Sequence, residues 1–188
     1  MKKIVRKLFM VALLLTIAVG ANAQRVRYPG FHFGIRAGFS SNNSYGETVP
    51  FVHGGLAMDF RLGRIPLYFE TGAYVMHKGY FREYWDGKER IDDLDLYIPL
   101  LFSYHIYLND NIALQPFTGV TVGFLTEKEE FEAAYHLGVG FNFKRLYFNM
   151  GYDFGLTKHD ATNFGSYLGE YRNNTFFLTL GFNFAGRR

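Results

Sequence analysis

Four charged residues, Arg36, Asp59, Arg61 and Glu70, fall in segments otherwise made of apolar and small residues. A charge taken out of water needs an opposite charge or several hydrogen bonds, so these four are expected to satisfy one another as a polar network. A small-ligand or gating role is the other chemistry such a network offers. Ser103 with His105, and His159 with Asp160, carry the residue types of hydrolytic catalysis. A nucleophilic serine needs a histidine within hydrogen-bond reach and a third group to orient it. No acid is suggested beside Ser103 and His105, so no catalytic residue is assigned.

Metal and cofactor chemistry is poorly signalled. The six histidines are scattered with no i, i+4 pairing, and there is no cysteine to supply a thiolate or a disulfide. The acidic run Glu127-Lys128-Glu129-Glu130 has the composition of a solvated loop tip, with cation binding near lipopolysaccharide as the alternative. No metal site and no cofactor is therefore expected. Tyr80, Phe81, Tyr84 and Trp85, beside Arg82, Glu83 and Asp86, are more aromatic than a solvated loop requires. Aromatic residues with arginine are typical of binding hot spots, so this segment is the expected partner-contact loop. Anchoring at a membrane–water boundary is the plainer reading of the same residues.

The elements that must position these side chains have a period of two. Phe31, Phe33, Ile35, Ala37 and Phe39 alternate with His32, Gly34, Arg36 and Gly38. The same alternation runs through 52–62, 67–75, 94–106, 112–124, 135–143, 146–154 and 175–184, giving eight strands of roughly nine to thirteen residues. One row is nearly uniform in Phe, Leu, Ile, Val and Met, with no Asp, Glu, Lys or Arg. The other mixes glycine and small residues with Arg36, Asp59, Arg61, Glu70, His136, Asn149 and Asp153. Large apolar side chains need the roomy exterior of a small barrel, which a bilayer covers and water does not.

The connections alternate in length. Those after strands two, four and six are short (63–66, 109–111, 144–145), and those after strands one, three, five and seven are long (40–51, 76–93, 125–134, 155–174). The fold expected is all-β: an eight-stranded antiparallel up-and-down transmembrane barrel, with short turns and both termini in the periplasm. Nineteen per cent aromatic content fits the girdles that such barrels carry.

Residues 1–23 are set apart as a signal peptide, leaving 24–188 as the barrel domain. Lys2, Lys3, Arg6 and Lys7 precede an apolar run from Leu8 to Gly20, and Ala21-Asn22-Ala23 is a small-x-small cleavage site. The whole chain carries 20 Lys+Arg against 17 Asp+Glu, and losing those four cations leaves a net charge of −1. The basic character therefore belongs to the leader and does not argue for nucleic acid.

Phe33-Gly34-Ile35-Arg36-Ala37-Gly38, Phe69-Glu70-Thr71-Gly72 with His77-Lys78-Gly79, Leu96-Tyr97-Ile98-Pro99-Leu100-Leu101, Gln115-Pro116-Phe117 and Tyr152-Asp153-Phe154-Gly155 together resemble the PorT-type outer-membrane β-barrel proteins of Bacteroidetes. The closing alternation Leu180-Gly181-Phe182-Asn183-Phe184 is similar to the terminal strand signal of outer-membrane proteins. The resemblance implies residence in the outer membrane among lipids and lipopolysaccharide, and, through the family's namesake, a part in secretion. The expected function is a non-enzymatic barrel, structural or an accessory subunit with a protein partner at its outer loops. A lipid-modifying enzyme and a narrow solute channel are the alternatives.

Overall fold

β-Branched, aromatic and aliphatic residues at every second position favour pleated strands whose two faces meet different surroundings. The computed structural model describes residues 30–44, 47–84, 87–126, 130–163 and 166–185, with the backbone alone for 43–44, 47, 78–84, 87–93, 159–163, 166–171 and 185. The expected leader at 1–23 lies outside the described residues.

The strands are β1 (Phe31–Ser44), β2 (Glu47–Arg61), β3 (Leu67–Tyr84), β4 (Gly87–Tyr104), β5 (Ile106–Tyr107), β6 (Ile112–Leu125), β7 (Glu130–Phe143), β8 (Leu146–Gly155), β9 (His159–Asn163), β10 (Ser166–Tyr171) and β11 (Asn174–Ala185). The pairs β1–β2, β2–β3, β3–β4, β5–β6, β6–β7, β7–β8 and β8–β11 are all antiparallel. β1 pairs with β11 and β4 with β6, so the sheet closes on itself as eight staves. β5 continues the stave of β4, and β9–β10 form a separate two-stranded hairpin between β8 and β11. Closure pairs both edges of every stave within the barrel.

Two departures from the sequence reading have local causes. The fourth strand is expected to run unbroken from Leu94 to Ile106, yet the ladder pauses at His105. In the running register, Ser103 faces Phe117 and Ile106 faces Leu114, so the gap falls opposite Gln115 and Pro116. Proline has no N–H to give, so the ladder loses the bond it would donate to the facing strand. The His105 amide points to the other side of the stave and donates to the Pro66 carbonyl at 2.8 Å. The long connections are also not loose loops. β1 continues to Ser44 and β3 to Tyr84, because continued pairing satisfies backbone groups that a loop would leave to water. Beyond His77 and Leu96 the β3–β4 hairpin pairs only with itself, out to Tyr84 opposite Gly87.

The two faces divide as the alternation requires. About thirty large apolar side chains, among them Ile35, Leu56, Leu100, Val139, Met150 and Leu180, are exposed on the outside. That far exceeds the few hundred Å² of apolar patch that a water-soluble monomer shows. Exposed charges among the described residues sit only beyond this belt: Arg64, Asp110, Lys144 and Arg145 at the short turns, Glu130, Lys158 and Arg172 at the other end. Phenylalanines ring the short-turn end, with Phe31 against Phe60, Phe69 against Phe102 and Phe33 against Phe184 at centroid distances of 5.1, 5.7 and 5.9 Å. Phe124 with Phe131, and Tyr135 with Phe154, mark the opposite rim.

Candidate functional site: a side-chain-filled lumen

The inward row holds more than glycine, small residues and charges. Tyr68, Tyr97, Leu101, Phe117, Tyr147 and Phe177 are all buried inside the barrel. Room for them comes from register, because bulky side chains face glycines across the ladder. Tyr97 pairs with Gly123, Leu101 with Gly119, Phe117 with Gly138, Phe177 with Gly151, His53 with Gly38 and Arg36 with Gly181. A Cβ at Gly123 would fall against the Tyr97 ring, and one at Gly34 would lie 2.7 Å from an Arg36 guanidinium nitrogen. The glycines are thus sockets for the side chains that plug the lumen.

The middle of the lumen is polar and hydrogen-bonded across several staves. The Arg36 guanidinium donates to Asn183 Oδ1 at 2.8 Å and to the Ile35 carbonyl at 3.1 Å, and lies 4.0 Å over the Tyr147 ring. His53 bridges Ser40 Oγ (2.8 Å) and Thr179 Oγ1 (2.9 Å), which links β1, β2 and β11. His136 contacts Asp153 and Thr121 and stacks on Phe177 at 4.3 Å. Toward the long-hairpin end, the Tyr97 hydroxyl donates to Glu132 at 2.6 Å, and Asn173 Nδ2 donates to the other Glu132 oxygen at 2.8 Å. Among these groups lies a cavity of about 60 Å³, room for a few waters.

Three of the four charges of the expected network, Arg36, Asp59 and Glu70, line one cavity. Asp59 and Glu70 face each other across the β2–β3 ladder. Arg36 acts electrostatically on both, but its hydrogen bonds go elsewhere. Arg61 lies half-exposed at the turn end, opposite Tyr68 in register.

At the short-turn end a second cluster forms around His105. Ser103 Oγ is 3.0 Å from its Nε2, and Glu70 Oε1 stands 3.8 Å from the same nitrogen. Tyr107 Oη and Gln115 Nε2 lie 3.5 and 3.3 Å from Nδ1, and the Tyr68 ring stacks on the imidazole at 3.8 Å. An acid is therefore present beside Ser103 and His105, contrary to the sequence reading. It comes from β3, thirty-odd residues earlier, and only the register brings it there. The arrangement is not that of an acyl-transfer triad, because serine and carboxylate meet the same ring nitrogen. Ser103 and His105 are each 1% exposed.

The other sequence candidates lie mostly beyond these sites. Tyr80, Phe81 and Tyr84 continue the β3 backbone in the projecting hairpin, and their side chains, like Trp85, lie outside the described residues. The side chains of His159 and Asp160 in β9, and residues 127–129 of the acidic run, are likewise outside them. Glu130 is exposed at the start of β7.

No family model matches the sequence, and no curated protein matches it. Among solved structures, Neisserial surface protein A is similar with a TM-score of 0.52 at 13% identity, over 84% of this chain and 98% of that one. The fold is that of a small outer-membrane β-barrel. The attachment invasion locus protein Ail of Yersinia pestis, solved with the heparin analogue sucrose octasulfate, is similar with a TM-score of 0.43 at 15% identity, over 82% and 99% of the two chains.

Proposed function

We propose that this chain is a non-enzymatic resident of the outer membrane, serving as an accessory subunit of an envelope assembly through its projecting β3–β4 hairpin. The observation that carries the reading is the combination of a plugged lumen with a hairpin that outruns the barrel. An apolar belt bounded by charges at both ends suits a bilayer. A lumen packed with side chains around a cavity of about 60 Å³ suits neither a diffusion pore nor a substrate channel. Ser103 and His105 are sealed inside, so acyl chains in the surrounding bilayer have no path to that hydroxyl, which argues against lipid modification.

What remains for function is the surface beyond the membrane. Past His77 the β3–β4 hairpin carries Tyr80, Phe81 and Tyr84 toward Trp85, the aromatic and charged segment that has the composition of a contact surface. The PorT-type resemblance supports a secretion-linked assembly as its setting. In this reading the short turns and both termini face the periplasm, and the long hairpins face outward.

The test is native electrophoresis of gently solubilised outer membranes, for wild type and for a variant with Tyr80, Phe81, Tyr84 and Trp85 replaced by serine. The wild type is expected in a large defined complex and the variant as a folded monomer. Wild-type migration as a monomer would refute the accessory role.

A further inference from the structure

We propose that Asp59, Glu70 and His105 form a binding site for a divalent transition-metal ion of the zinc class, at the short-turn end of the lumen. Ligand atoms of these three residues, from β2, β3 and the β4–β5 break, all lie within 4.8 Å of one another. Two carboxylates buried side by side carry a large desolvation cost unless a cation or a shared proton meets them. Arg36 gives hydrogen bonds to Asn183 and Ile35 and to neither carboxylate among the described residues.

The decisive atom is Glu70 Oε1. It is buried without a hydrogen-bond partner in a residue that is 9% exposed. It points to His105 Nε2 across 3.8 Å, too long for a hydrogen bond. That separation suits two ligands of one ion. Donors bound at about 2.1 Å lie about 3.4 Å apart at a tetrahedral angle and farther apart when it opens. A contraction of roughly an ångström brings Asp59 into the same shell.

The surroundings hold the ligands in the required sense. Gln115 is fully buried beside His105 Nδ1, and its Oε1 has no partner. With the amide turned over, that oxygen accepts the Nδ1–H, the usual outer-shell arrangement for a metal-bound histidine. The Ser103 hydroxyl, now 3.0 Å from Nε2, would turn away to leave that lone pair to the ion. His32 Nδ1 stands 3.5 Å from Asp59 Oδ2, beside the second carboxylate. One imidazole with two carboxylates, and no thiolate, suits zinc and its first-row neighbours better than soft metals, and the imidazole disfavours magnesium and calcium. The three ligands stand 11 and 35 residues apart in the chain, so no local spacing marks them as a metal site.

The experiment uses the full barrel, purified in detergent, stripped with EDTA and dialysed against zinc sulfate. Elemental analysis is expected to find one zinc per wild-type chain. Glu70→Gln and Asp59→Asn should weaken binding tenfold or more, while Asp153→Asn, a lumenal carboxylate outside the cluster, should bind as wild type does. Heat-modifiable mobility on gels reports whether each variant is folded. Zinc-edge X-ray absorption of the wild type decides the matter even if a variant does not fold: one imidazole with carboxylate oxygens is expected in the first shell. Absence of stoichiometric zinc, a shell without imidazole, or undiminished binding in folded Glu70→Gln would overturn the proposal.

Discussion

Adding one methyl group at Gly123 should cost this barrel a substantial part of its stability, because the Tyr97 ring already occupies the space. A Cβ there would lie 2.7 Å from ring atoms Cδ1 and Cζ, closer than real carbon contacts allow. The ring has little freedom to yield, since its hydroxyl is held at 2.6 Å by Glu132 and the residue is buried. Overpacking of this kind costs about 1–3 kcal/mol, and losing a hydrogen bond to a charged group about 1.5–3 kcal/mol. Replacing glycine returns about 0.4–1 kcal/mol through the unfolded chain. The net expectation for Gly123→Ala is a loss of roughly 2–4 kcal/mol, taking the packing and hydrogen-bond terms as partly overlapping.

Gly54→Ala is the matched control. Its Cβ would meet the Arg36 carbonyl at 3.5 Å and the Ala37 Cβ at 3.9 Å, ordinary contacts, so it should be neutral or stabilising by up to about 1 kcal/mol. Urea unfolding in lipid vesicles gives the stabilities. In a Tyr97→Leu background the cost of Gly123→Ala should fall by at least about 1 kcal/mol, the coupling expected of residues in contact. Equal effects at Gly123 and Gly54, or an unchanged cost in the Tyr97→Leu background, would refute the socket argument.

Three further outcomes follow from the same geometry. Leu100→Arg places a charge within the outward belt and should cost about 2–4 kcal/mol in bilayers, measured by vesicle refolding against urea. Lys144 has a φ of 55° in the two-residue turn between β7 and β8, so Lys144→Gly should raise stability by about 1 kcal/mol in the same assay. Planar bilayers containing the wild-type barrel should show no steady conductance, since the lumen is filled; a regular open state would contradict the packing described.

Strand positions and the facing of each row were legible in the sequence because alternation is local. Ile35, Leu56, Leu100 and Val139 read as outward and are outward. What joins one strand to another was not legible. Tyr97 over Gly123, and Glu70 beside His105, depend on register, which no single segment encodes. That Arg36 donates to Asn183 and lies over Tyr147 was equally illegible, because the Asn183 contact needs the pairing of β1 with β11. Pro116 was visible in the sequence as a residue without an N–H. Its effect on the facing strand at His105 was not, because that effect also needs the pairing partner.

The lipid-facing role of the belt can be read from two quenchers on one set of labels. The chain has no cysteine, so single cysteines at Leu100, Val139 and Thr48 can each carry a bimane fluorophore. In vesicles, labels at Leu100 and Val139 should be quenched by bromine on the lipid acyl chains and spared by aqueous iodide, while the label at Thr48, exposed near the β1–β2 hairpin tip, should show the reverse. Iodide quenching at Leu100 and Val139, with no effect of brominated lipid, would mean that this apolar face does not meet a bilayer.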